Sequence, residues 1–160
     1  MNYLKKLAKI IGLFLALAMA VAVIIFGYYF IQALRQQNLK AEVMIKNQQY
    51  QVEMVKTPIK MAEGLSGRNE LATNSGMLFV YDDKQKRDFW MNKMNFDLDI
   101  IFIDDSRVVD FVTLKKPESS NKIPKYTNLK PANFVLEIPA GEAKKLGLKI
   151  GDMVEINQSQ

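Results

Sequence analysis

Ser66, Arg68, Trp90, Asn92 and Asp99 are the side chains in this sequence best suited to hold a small polar molecule. Ser66 and Arg68 belong to Gly64-Leu65-Ser66-Gly67-Arg68. Two glycines around a serine let backbone approach a ligand closely, and the guanidinium offers a planar fork for a carboxylate, a phosphate or sugar hydroxyls. The competing reading is a structural turn in which Arg68 braces the loop on a nearby acid. The segment lacks the GK[ST] ending of a phosphate-binding loop. It is also not a G-x-S-x-G elbow, because glycine follows the serine directly. Trp90 is the only Trp in the chain, and aromatic faces at strand ends serve as platforms for sugars. Core packing is its alternative. Phe89 and Trp90 are neighbours on an expected strand, so their rings should point to opposite faces and one should be less buried.

Asp99 lies in an apolar stretch, where an unpaired carboxylate is strongly unfavourable. Arg68 or the amides of the Gly-rich turn are its expected partners. Asp97 and Asp99 share a strand face at i and i+2, the spacing of a paired-carboxylate acid/base site or of a hard-cation site. A structural or ligand-orienting role for Asp99 competes with both. Met91 and Met94, with Met77 nearby, could hold Cu(I), but thioethers more often fill core gaps. The chain has no Cys and no His. Thiolate nucleophiles, imidazole bases and structural zinc sites are therefore excluded. No metal and no cofactor is expected.

Residues 10–31 form a run of 22 without a charge. As a helix this run spans roughly 33 Å, enough for the hydrocarbon core of a bilayer. Lys5, Lys6 and Lys9 precede it and Arg35 follows. The positive-inside rule then places residues 1–9 in the cytoplasm of a prokaryotic cell and the rest of the chain outside. A cleavable signal peptide is the competitor, because small-x-small triplets occur between Ala16 and Ala22. The apolar run continues past all of them, whereas a cleavage site should end it. Residues 32–41 read as a short polar stalk and residues 42–157 as one extracytoplasmic domain. Beyond Arg35 the chain holds 18 basic and 17 acidic side chains. That balance gives no electrostatic footprint for nucleic acid.

The domain must position these residues with short strands. Residues 43–45 and 50–55 read as a hairpin, the second arm alternating polar and apolar. Thr57-Pro58 starts a short helix over residues 59–63 that Gly64 stops. Residues 76–81 are an apolar strand and residues 82–88 a solvated turn. Phe89-Trp90-Met91 opens the next strand. Residues 98–103 and 107–112 form a hairpin turned by Asp104-Asp105. Residues 115–130 read as a long polar loop, 133–138 as a strand, 140–146 as a short helix and 153–156 as the last strand. Seven or eight strands with two short helices predict a mainly β domain of sandwich, jelly-roll or barrel type.

Several motifs follow one another: Gly64-Leu65-Ser66-Gly67-Arg68, Gly76-Met77-Leu78-Phe79, Phe89-Trp90-Met91 and Leu98-Asp99-Ile100-Ile101-Phe102-Ile103-Asp104. Phe134-Val135-Leu136-Glu137, Ala140-Gly141, Gly147 and Gly151-Asp152 complete the series. In this order they resemble the domain-of-unknown-function family 192, over residues 43–156. The resemblance implies a jelly-roll-like β-sandwich and no agreed reaction. Two positions depart from it: Asn92-Lys93 stands where the family reads Lys-Asn, and Asp97 stands where it has Pro. The leading expectation is a binding module for a small polar or glycan ligand, lined by Ser66, Arg68, Trp90, Asn92 and Asp99. A hydrolase or lyase using Asp99 and Arg68 is the alternative. A scaffold for another envelope protein is the third reading.

Overall fold

A computed structural model describes residues 2–36 and 39–158. One long helix, α1 (Asn2–Gln36), contains the apolar run. Residues 2–31 of it are long and apolar enough to cross a membrane, and none of its most apolar stretch is buried in protein. The expected stalk over 32–41 includes Gln37 and Asn38, which lie outside the described residues.

Described by itself, the second unit is mainly β. Its first strands are β1 (Lys40–Ile45) and β2 (Gln48–Val55), an antiparallel hairpin. Alternation decides their faces: Tyr50, Val52 and Met54 are buried inside while Gln49, Gln51 and Glu53 point out. A crossover then carries α2 (Pro58–Glu63) before β3 (Ser75–Gln85), which runs parallel to β2. The remaining elements are β4 (Asp88–Trp90), β5 (Leu98–Asp104), β6 (Arg107–Leu114), β7 (Lys125–Thr127), β8 (Ala132–Pro139), α3 (Glu142–Lys145) and β9 (Val154–Gln158).

Seven strands make one sheet in the order β6-β5-β8-β3-β2-β1-β9, and β4 pairs with β7 in a second, two-stranded sheet. The large sheet curls. Its two edges meet at one end, where Arg107 bridges Met153 and the Val108 amide donates to the Asp152 carbonyl at 2.9 Å. The result is a partly closed barrel with two apolar layers. The inner layer holds Val43, Tyr50, Leu78, Ile101, Leu136 and Ile138 from the sheet, with Ala143 and Leu148 at α3. The outer layer holds Phe79, Ile100, Phe102 and Val135, covered by Leu65, Phe89, Met91 and Met94. β5 carries apolar residues on both faces because both are covered.

Thr57 caps α2 by accepting from the Lys60 amide, Pro58 occupies its first position, and Gly64 ends it at φ 53°. The expected turn over residues 82–88 is shorter than that, because β3 continues through Gln85 in solvent. The long loop over 115–130 contains β7, which holds β4 in place. The described residues form nine strands, against the seven or eight expected.

Candidate functional site

The turn after α2 is tied to the turn after β4. Ser66 Oγ donates to the Asn92 carbonyl at 2.9 Å, the Gly67 amide to the Lys93 carbonyl at 2.9 Å, and Asn95 Nδ2 to the Arg68 carbonyl at 2.9 Å. These bonds roof the outer face of the large sheet. Beneath the roof lies a cavity of about 220 Å³ between α2, the Gly-rich turn, β3, β4 and β8. Ser66, Phe79, Tyr81, Phe89, Trp90 and Glu137 are among the residues that line it.

Glu137, the last residue of the Phe134-Val135-Leu136-Glu137 strand motif, is the most unusual group here. It projects from β8 onto the outer face, beside Met77 of β3 and Ile100 of β5 in register. It is 6% exposed, and its Oε2 is buried without a hydrogen-bond partner. Burial pushes its carboxyl up to about 8, against a weaker opposing pull from the Arg68 guanidinium. At neutral pH the group is therefore mostly a neutral acid inside an apolar wall. The strand beside it comes unusually close: a Cβ on Gly76 would stand 2.5 Å from the Glu137 carbonyl oxygen, so only glycine fits there.

Around this acid the charged neighbours are mostly engaged. Arg68 grips Glu53 of β2 with two bonds of 2.6 and 2.7 Å. That fork raises the guanidinium and lowers the Glu53 carboxyl. Arg87 stacks 3.6 Å from the centroid of the Tyr81 ring, bonds the Ala132 carbonyl at 2.7 Å and pairs with Asp83. Burial pushes the Tyr81 hydroxyl up to about 12, so it stays protonated. Glu63 pairs with Lys60 at 3.1 Å, and Asp88 accepts from Thr127. The lining includes Glu63, Asp88 and Glu137 but no Lys or Arg.

The five expected site residues separate. Ser66 and Trp90 line the cavity. Trp90 is 54% exposed while Phe89 is buried, as strand alternation requires, so the indole is free to act as a platform. Arg68 stands beside the cavity but is spent on Glu53. Asn92 lies in a turn rather than on a strand, and it lines a neighbouring cleft with Asn95, Pro117 and Ser119. Asp99 is on the opposite face of the sheet, fully buried. Its oxygens accept from Thr113 Oγ1 at 2.6 Å and from the Ala143 amide at 2.7 Å, so it holds the start of α3 against β6. The expected Asp99–Arg68 pair is therefore absent: odd and even positions of β5 face different layers, and Arg68 belongs to the other one.

The Asp97–Asp99 dyad fails for a related reason. Asp97 precedes β5 and accepts from Lys115 Nζ and the Lys116 amide, both at 2.8 Å. Met77, Met91 and Met94 are buried in the outer apolar layer as packing. Among the described residues no group of three carboxylates could hold a metal ion. The signal that could have found Glu137 is a lone acid at a position whose strand neighbours, Leu136 and Ile138, are apolar.

Residues 41–156 match the model of the family DUF192, described as Uncharacterized ACR. The chain belongs to the DUF192 family. A protein of unknown function from Novosphingobium aromaticivorans DSM 12444 is similar to it at 31% identity and a TM-score of 0.63, over 72% of this chain and 83% of that one. A protein from Sinorhizobium meliloti 1021 named a "putative transcription regulator" is similar at 26% identity and a TM-score of 0.64, over 73% of this chain and 92% of that one. No curated protein matches the chain. The resemblance read from the motifs is thus correct, and the DUF192 domain here contains every residue of the cavity.

Proposed function

We propose that this chain is a membrane-anchored DUF192 domain that binds a small polar or glycan ligand outside the cytoplasm, in the cavity between α2, β4 and β8. The carrying observation is the buried, unpartnered Oε2 of Glu137 in a cavity wall that also carries the half-exposed indole of Trp90. A buried polar atom without a partner costs about 1–3 kcal/mol, and a ligand that supplies the partner recovers it. Ser66, whose hydroxyl already donates to Asn92, shapes the mouth. Arg68 positions the turn through Glu53 and biases Glu137 by its charge.

The anchor reading is supported by the apolar stretch of α1 and by the three lysines before it. The same features favour residues 1–9 inside a prokaryotic cytoplasmic membrane and the domain outside. The near balance of charge in the domain speaks against nucleic-acid binding. A hydrolase or lyase built on Asp99 and Arg68 has no geometric support, because each side chain is committed elsewhere.

The test is titration of the detergent-solubilised chain with a panel of neutral sugars, amino sugars and small polar molecules, followed by Trp90 fluorescence. Trp90 is the sole indole, so any change in emission reports on this site. Saturable change with at least one compound, lost in Glu137→Gln, is expected. A flat response across the panel overturns the reading.

A further inference from the structure

The charge pattern around the cavity narrows the ligand, given that the cavity is a binding site. Three carboxyl groups, Glu63, Asp88 and Glu137, belong to its wall, together with the rings of Phe79, Tyr81, Phe89 and Trp90. No basic side chain lines it. Arg68 and Arg87 lie close by, but Glu53 holds the first, and Asp83, Tyr81 and the Ala132 carbonyl hold the second. An anion would therefore meet carboxylates and no free guanidinium. A bare divalent ion would find no group of three carboxylates placed to hold it among the described residues. A group that carries both positive charge and N–H donors satisfies the carboxyls and the aromatic faces at once.

We propose that this cavity takes the ammonium group of a small amine, with Glu137 Oε2 accepting an N–H and the Trp90 indole lying against the carbon frame. Arg68 from the Gly-rich turn, paired with Glu53 of β2, is the charged group that acts on Glu137, while Tyr81 from β3, Asp88 from β4 and Glu63 from α2, paired with Lys60, share the cavity wall with it. β5 contributes only the apolar Ile100 beside it. Binding then has a proton consequence. The empty site holds a neutral carboxyl, and the ammonium favours the carboxylate. One proton leaves Glu137 for solvent as the amine enters, and the amine keeps its own.

The experiment is calorimetric titration of the full chain in neutral detergent micelles at pH 6.5 with 3-methylbutylammonium chloride and with 3-methyl-1-butanol. The two probes share a carbon frame and differ in charge. The amine is expected to bind at least tenfold more tightly than the alcohol. Its heat is expected to vary with the ionisation enthalpy of the buffer, reporting release of about one proton. Glu137→Gln, which preserves shape, is expected to weaken the amine at least tenfold while leaving the free protein's Trp90 emission unchanged. Equal affinity for the two probes, or undiminished amine binding by Glu137→Gln, overturns the assignment. If the alcohol or a neutral sugar binds and the amine does not, the ammonium assignment fails while the cavity remains a binding site. If neither probe nor any neutral sugar, amino sugar or small polar molecule of that panel binds, both readings fall together.

Discussion

Asp99 and Glu137 sit on neighbouring strands, one step apart in register, and meet opposite fates. Asp99 pairs across from Ile138, and Glu137 from Ile100. That single step sends Asp99 to the inner layer and Glu137 to the outer one. Inside, both oxygens of Asp99 accept hydrogen bonds, and its carboxylate becomes a structural tie between β5, β6 and α3. Outside, Glu137 has an oxygen with no donor and a cavity beside it. Two buried acids of similar depth thus differ in whether the fold supplies their partners. Satisfaction makes Asp99 part of the architecture; its lack at Glu137 is the observation on which the proposed binding site rests.

The sharpest way to break this contrast is to remove the inner acid. Asp99→Ala leaves the buried Ala143 amide without its acceptor and releases the Thr113 hydroxyl. It should cost about 3–4 kcal/mol, by the usual penalty for deleting one partner of a buried charged contact. Chemical denaturation of the full chain, followed by Trp90 emission, measures it. A loss below about 1 kcal/mol, far short of that penalty, would mean that Asp99 is not the tie described.

Glu137→Gln should act in the other direction, and increasingly as pH rises above about 4.5. The folded-state carboxyl of Glu137 is raised to about 8, above its unfolded value, so the folded form binds the extra proton. Its contribution to stability is complete below about pH 4.5 and is lost as pH rises through about 8. The Gln variant escapes that loss. It should be more stable than the parent by about 4 kcal/mol at pH 9 and closely similar at pH 4.5. Thermal melts at the two pH values check the sign. A variant less stable at pH 9 would refute the picture of an unpartnered acid.

Arg68→Ala probes the link between the two halves of the roof. The Arg68–Glu53 fork is partly solvated, with more than a third of the Arg68 side chain exposed, so its loss should cost only about 0.5–1 kcal/mol. Removing that positive charge should also move the Glu137 transition upward, visible as a shift of the pH-dependent melt to higher pH. Trp90→Ala should have the smallest effect on folding, within about 0.5 kcal/mol by denaturation monitored with circular dichroism. Even so, it should weaken ligand binding measured by calorimetry. Its neighbour Phe89 packs edge-on against Phe79 at 5.2 Å and Phe102 at 5.6 Å. Phe89→Ala would be far more damaging, so the Phe-Trp pair repeats the contrast of the two acids on a smaller scale.

Local rules in the sequence were enough for the apolar helix, the capped start of α2 at Thr57-Pro58, the stop at Gly64 and the hairpin at Asp104-Asp105. Each depends on a few adjacent residues. The motif order placed the family and the β-rich class, and period-two alternation anticipated that Phe89 and Trp90 would part. Ser66 and Trp90 as cavity residues were also within reach. Which acid lines that cavity was not. Alternation says that Asp99 and Ile100 point apart, but not which face carries the Gly-rich turn, because that depends on the crossover from β2 to β3 and on β4 and β7 folding over one layer. Partner choice is nonlocal for the same reason: Arg68 meets Glu53, Asp99 meets α3, and Glu137 meets no donor at Oε2, only once strands distant in the chain are aligned. The order of residues determined the elements and their chemistry; the closing of the curled sheet decided which carboxyl was tied down and which was left open.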